Sequence, residues 1–155
     1  MLIFVLLETP AERDHTHTKF RESELIVLLP PTYRKPKSTR MNKIENALMR
    51  TTDTRAVVFG VGTLPRVAEL FTQLFPGKRA VVVADLNTWR VAGEEIHRHL
   101  DEAGIQQDQP HIFDDPSLYA EWRFIEELDN VLAHTDAIPV AVGSGVINDL
   151  TKLSS

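Results

Sequence analysis

Past residue 55 the apolar positions of the chain repeat with two alternating periods. The run RAVVFG at 55–60 is short, continuous and β-branched, which predicts a strand buried on both faces. Leu64, Val67, Ala68, Phe71, Leu74 and Phe75 then recur at helical spacing, and Pro76-Gly77 closes that helix. RAVVVAD at 79–85 predicts a second buried strand. Trp89, Ala92, Ile96, Leu100 and Ala103 mark the next helical face, stopped by Gly104. PHIFDD at 110–115 predicts a shorter third strand, and Leu118, Trp122, Ile125, Leu128 and Leu132 another helical face. AIPVAVG at 137–143 is the fourth strand, and a helix opens around Val146 to Asp149. A short helix at 42–50, with Ile44, Ala47 and Leu48 on one face, precedes them. Residues 41–155 therefore read α-β-α-β-α-β-α-β-α. Strands apolar on both faces and alternating with helices define an α/β fold: an open parallel, Rossmann-like sheet with helices on both faces and right-handed crossovers.

The first forty residues do not follow this pattern. They hold four of the nine prolines and one plausible strand, at 25–29; the rest is punctuation and charge. Their balance is seven Lys/Arg to five Asp/Glu, whereas residues 41–155 hold ten to seventeen. Residues 1–40 are accordingly expected to be an irregular segment, non-native or disordered, and the α/β domain to occupy 41–155. The opening MLIFVLL is too short to span a bilayer, which needs about 20 apolar residues. It lacks a basic region before it and a small-residue cleavage site after it, which argues against a secretory signal.

Composition narrows the classes. The apolar share of 43% and charged share of 25% are those of a soluble globular domain, and 155 residues suit one domain. A net charge of −5 argues against a nucleic-acid binder, which needs a basic face. With no cysteine there is no disulfide framework, thiolate metal site or thiol nucleophile, and a cytoplasmic setting fits.

In such sheets ligands bind outside the carboxyl ends of the strands. Three places qualify. Gly60-x-Gly62 begins a dinucleotide fingerprint, but Pro65 stands where its third glycine would fall; a tight β-α turn is the other reading. Asp85 ends the second strand, 23 residues after Gly62. A carboxylate there can accept both ribose hydroxyls of an adenosine and repel a 2′-phosphate, or it can cap the helix that starts near Asn87-Thr88. The turn Gly143-Ser144-Gly145 precedes a helix whose free N–H groups and positive dipole end suit a phosphate. His97 and His99, two apart on a helix, cannot share a metal. His15 and His17 lie near Asp14 in the irregular segment, while His111 and His134 are isolated. There is no HExxH, no Walker lysine motif and no GxSxG.

Two stretches carry a family resemblance: VVVADLNTWRVAGEEI at 81–96 and AIPVAVGSGVINDLTKLSS at 137–155. With VVFGVGTLP they resemble the sn-glycerol-1-phosphate dehydrogenases, of the superfamily that also holds glycerol dehydrogenases, iron-containing alcohol dehydrogenases and dehydroquinate synthase. The resemblance implies an N-terminal nucleotide-binding domain followed by a helical domain. It implies that Asp85 holds the adenosine ribose, that Gly143, Ser144, Gly145, Val146 and Ile147 lie under the pyrophosphate, and that Asp149 lies towards the nicotinamide. The implied cofactor is NAD or NADP, with NAD favoured by Asp85, and the implied chemistry is hydride transfer between nicotinamide and glycerone phosphate or sn-glycerol 1-phosphate. A divalent metal (Zn, Ni or Fe), held by an aspartate and two histidines further along the family's chain, would polarise the alcohol oxygen. Those positions have no counterpart here. The chain is therefore expected to be the N-terminal part of a longer enzyme, inactive alone, and to self-associate through apolar surface that a following domain would cover. A stand-alone nucleotide-binding or interaction module is the second expectation, and a dehydroquinate synthase-like lyase fragment the third.

Overall fold

A computed structural model of the chain describes residues 3–8, 23–28, 58 and 62–154. The strand expected at 55–60 and the helix expected at 42–50 lie outside them. The described strands form one five-stranded sheet in the order β2-β1-β5-β3-β4. They are β1 (Ile3–Glu8), β2 (Ser23–Leu28), β3 (Ala80–Asp85), β4 (His111–Phe113) and β5 (Ile138–Gly143).

The expected parallel sheet is present in β5-β3-β4. Val82 pairs with Val140 and Asp85 with Phe113, both in parallel. Strands β3 and β5 are buried along almost their whole length, which is why they read as unbroken apolar runs rather than alternating ones. The sheet is mixed rather than wholly parallel. β1 and β2 pair antiparallel, and β1 lies antiparallel along β5, with Phe4 opposite Gly143 and Leu7 opposite Val140. The sequence indicated only one strand among these residues, at 25–29. The opening apolar run, lacking a periodic partner nearby, carried no signal for the long-range pairing that makes it β1.

Among the described residues, four longer helices cover the two faces: α1 (Arg66–Leu74), α2 (Glu94–Glu102), α3 (Trp122–Leu132) and α4 (Gly145–Ser154). Alternate residues of the strands go to opposite sides, as the pleat requires. Ala80, Val82, Ala84, Ile138, Val140 and Val142 pack against Val67 and Phe71 of α1 and Ile96 and Leu100 of α2. Val83 and Ala141 face the other way, against Phe124, Ile125 and Leu128 of α3 and Ile147 and Leu150 of α4.

Two helical expectations need correction. The face predicted from Trp89 to Ala103 is not one regular helix: a single turn, Leu86–Thr88, is followed by a π-helical turn, Trp89–Gly93, before α2 begins. A Cβ on Gly93 would lie 2.6 Å from the Trp89 ring, so only glycine lets the indole fold over this turn. In the helix predicted around Leu118 to Leu132, the spacing puts Trp122 on the buried face, but it is 69% exposed. It stands at the first position of α3, where its indole N–H donates to Glu126 at 2.7 Å. Phe124 takes the core position instead, edge-on to Phe113 at 5.8 Å and with the Arg123 guanidinium over its ring.

Candidate functional site

The carboxyl ends of β3, β4 and β5 open together into a cleft of about 530 Å³. Asp85, Leu86, Asn87 and Arg90 line it from the β3 side, residues 113–116 and Leu118 from the β4 side, and Ser144 and Val146 from the glycine turn. This is where an open α/β sheet offers a ligand site.

Asp85 has a structural task that the sequence also allowed. Its Oδ1 accepts from the backbone N–H of Asn87 at 2.8 Å and of Thr88 at 2.9 Å. The Asp85 N–H in turn donates to the Thr88 hydroxyl oxygen, which completes a capping box. Both helix bonds fall on one oxygen. The other, Oδ2, has no partner among the described residues and remains free to accept from a ligand in the cleft. The helix-cap and ribose readings of Asp85 are thus compatible.

The two glycines of the turn are small for different reasons. A Cβ on Gly143 would meet Ile147 at 2.5 Å, so this glycine lets the first turn of α4 close onto β5. A Cβ on Gly145 would meet nothing within 4 Å, so its smallness leaves open room at the start of α4. Ser144 is exposed on the cleft wall, and its carbonyl takes the Asn148 N–H at 3.2 Å as α4 begins. The leading N–H groups of a ten-residue helix therefore lie beside the cleft.

The structure brings together Asp85, Ser144 and Val146 on the cleft wall, with Gly143 and Gly145 framing the turn. Ile147 is fully buried and serves the core beneath the turn. Asp149 is exposed on α4 and does not line the cleft. Gly62 takes a positive φ of 72°, Pro65 stands at the N-cap of α1, and neither lines the cleft; Gly60 lies outside the described residues. Sequence reasoning passed over Asn87, Arg90, Asp114 and Asp115 as cleft residues. The Asp-Asp pair directly after the third strand was the available signal, since it stands where that strand's carboxyl end must be.

His111 opens β4 and packs edge-on against Phe113 at 4.5 Å. Burial pushes its pKa below the ordinary 6.5, and the nearby Glu127 carboxylate opposes that shift. Glu127 lies 3.2 Å from Nε2 but is not aligned for a hydrogen bond. Among the described residues no three His, Cys, Asp or Glu side chains are placed to hold a metal ion. Also among the described residues, no helix is long and apolar enough to cross a membrane.

The sequence profile of the iron-containing alcohol dehydrogenases matches residues 58–155. The match covers β3 to β5, every described helix and the whole cleft. The chain belongs to the iron-containing alcohol dehydrogenase family. It is 31% identical over 105 residues to a 3-dehydroquinate synthase of Mesorhizobium japonicum, an alignment covering 64% of this chain and 27% of that protein. The chain therefore spans little more than a quarter of that relative's length. No solved structure gives a significant match.

Proposed function

We propose that this chain binds the adenosine and pyrophosphate half of a nicotinamide dinucleotide for an oxidoreductase resembling the sn-glycerol-1-phosphate dehydrogenases. The observation that carries the reading is the shared cleft. A carboxylate with one uncommitted oxygen ends β3, and a glycine turn opening into a helix N-terminus ends β5. The pyrophosphate would take the leading N–H groups of α4 and the Ser144 hydroxyl, and the ribose hydroxyls would donate to Asp85 Oδ2. The open space at Gly145 admits the phosphate to the backbone. A carboxylate at the ribose disfavours a 2′-phosphate, so NAD is the preferred form.

When bound, the dinucleotide supplies a hydride acceptor or donor. The residues of this chain bind and orient it, and we assign them no proton- or hydride-transfer step. The described residues offer no metal cluster, so no step is derived through a metal. Glycerone phosphate or sn-glycerol 1-phosphate is the proposed substrate of the complete site, on the strength of the segments at 81–96 and 137–155. Self-association and a cytoplasmic setting belong to the same proposal.

Calorimetric titration with NAD tests the binding. A saturable isotherm that weakens in Asp85→Asn is expected. That variant keeps a good helix cap while losing the charge, so fold and site are separated. An isotherm unaffected by Asp85→Asn would remove the ribose assignment. The identity to 3-dehydroquinate synthase supports a second reading, in which the same cleft serves a lyase. NADH oxidation dependent on glycerone phosphate, assayed with Zn, Ni or Fe present, would favour the dehydrogenase over the lyase and would refute the expectation that this chain is inactive alone.

A further inference from the structure

The strand order places three groups in a line. The glycine turn ends β5, Asp85 ends β3, and Asp114 follows β4, on successive neighbours in the sheet. Neighbouring strands lie about 4.8 Å apart, so two steps cover roughly 10 Å, the scale of a nucleoside 5′-phosphate from phosphorus to base. This rests on the reading just given: with pyrophosphate at the turn and ribose at Asp85, the base falls beyond Asp85, at the end of β4.

Two carboxylates wait there, and they differ. Asp115 is committed, its Oδ1 accepting from the Ser117 N–H at 2.8 Å and its Oδ2 lying 3.2 Å from Arg123. Asp114 is exposed on the cleft wall and has no partner among the described residues. Asp85 pairs in register with Phe113, so Asp114 is the next residue along from the ribose acid's own neighbour. Pro116 and Leu118, which follow β4 on the same wall, give this end of the cleft apolar surface, which suits a planar base.

We propose that Asp114 selects the base, its carboxylate accepting a hydrogen bond from the 6-amino group of adenine. Hypoxanthine carries an oxygen at that position, so the carboxylate would face a second acceptor with no proton between them. The base at this end of the cleft is thereby restricted to one that donates.

The test is titration of the whole chain with NAD and with nicotinamide hypoxanthine dinucleotide, in which an oxygen replaces the 6-amino group and N1 carries a proton. The chain should bind the adenine form about tenfold more tightly or better, the scale of a hydrogen bond to a charged group. Asp114→Asn should bring the two affinities to within about twofold, because its amide can turn to donate to the oxygen. Asp85→Asn should weaken both alike and keep their ratio. Equal binding of the two forms by the native chain, or a ratio unchanged in Asp114→Asn, overturns the base assignment and leaves the dinucleotide reading standing. Failure to bind either form overturns the dinucleotide reading and this assignment with it.

Discussion

Gly143→Ala adds one methyl group where β5 meets α4. Built on the observed backbone, that carbon lies 2.5 Å from Ile147 Cγ1, 2.6 Å from its Cβ and 3.1 Å from its Cγ2. Ile147 cannot swing aside easily, because a β-branched side chain in a helix has one strongly preferred rotamer. It is also fully buried against Val83 and Ala141. A clash with Cβ itself demands that helix or strand backbone move, so the cost should lie in the upper part of the 1–3 kcal/mol range for overpacking, about 2 kcal/mol or more. With a urea slope of roughly 2 kcal/mol/M, the midpoint should fall by about 1 M. Unfolding can be followed by the fluorescence of Trp89 and Trp122. Ile147→Ala alone should cost about 2–5 kcal/mol through the cavity it leaves. Combined with Gly143→Ala, the two costs should sum to less than their separate values, because the new methyl group enters the space Ile147 vacates. A midpoint for Gly143→Ala within error of the native chain, or strictly additive costs in the pair, would refute the packing account of this glycine.

Gly145→Ala should behave in the opposite way, with a urea midpoint unchanged or slightly raised by helix propensity and a clear loss of NAD affinity on calorimetric titration. Equal losses of stability and binding would show that Gly145 too is a packing glycine. Gly93→Ala should lower the urea midpoint and shift the Trp89 emission, since the new carbon would stand 2.6 Å from the indole; an unchanged spectrum would remove the Trp89–Gly93 contact. The depressed pKa of His111 means that the unfolded chain takes up its proton first as the pH falls. Its contribution is complete above the unfolded value near 6.5 and is lost as the pH falls from there through the folded value. Stability measured from about pH 7.5 down to pH 5 should therefore decline less steeply in His111→Gln than in the native chain, and parallel profiles would refute the assignment.

The sequence revealed strands β3 and β5 because both are buried on both faces and read as unbroken apolar runs. It revealed α1 and α2 through residues such as Phe71 and Leu100, whose spacing matches the buried stripe. The π-helical turn was not legible, because Trp89 and Ala92 keep nearly helical spacing through it and the extra residue is absorbed without a break in the pattern. Trp122 misled because size and apolarity suggest burial, while its place at the start of α3 lets the indole cover surface and bond to Glu126. At the cleft, Asp85 and the Gly143–Gly145 turn were legible as a motif. The reason for each was not: that Gly143 serves Ile147, and that Asp85 takes both helix N–H groups on one oxygen, are facts of three-dimensional contact. The segment at 87–93 stands out in the sequence because it packs in a specific way, with Asn87 and Thr88 bonded to Asp85 and Gly93 giving room to Trp89.

The position of β5 in the sheet also governs the order in which the chain can fold as it leaves the ribosome. β5 is central among the described strands, with β1 on one side and β3 on the other, yet it follows all of them in the chain. Until residues 138–143 emerge, the β1–β2 ribbon and the β3–β4 pair are separate pieces, each with an open edge where β5 will lie. Joining Phe4 to Gly143 closes a loop of about 140 residues, a contact range associated with slow folding. The nascent protein must therefore hold two adhesive half-sheets apart until one six-residue strand joins them, and that interval is when it is most exposed to pairing with other chains.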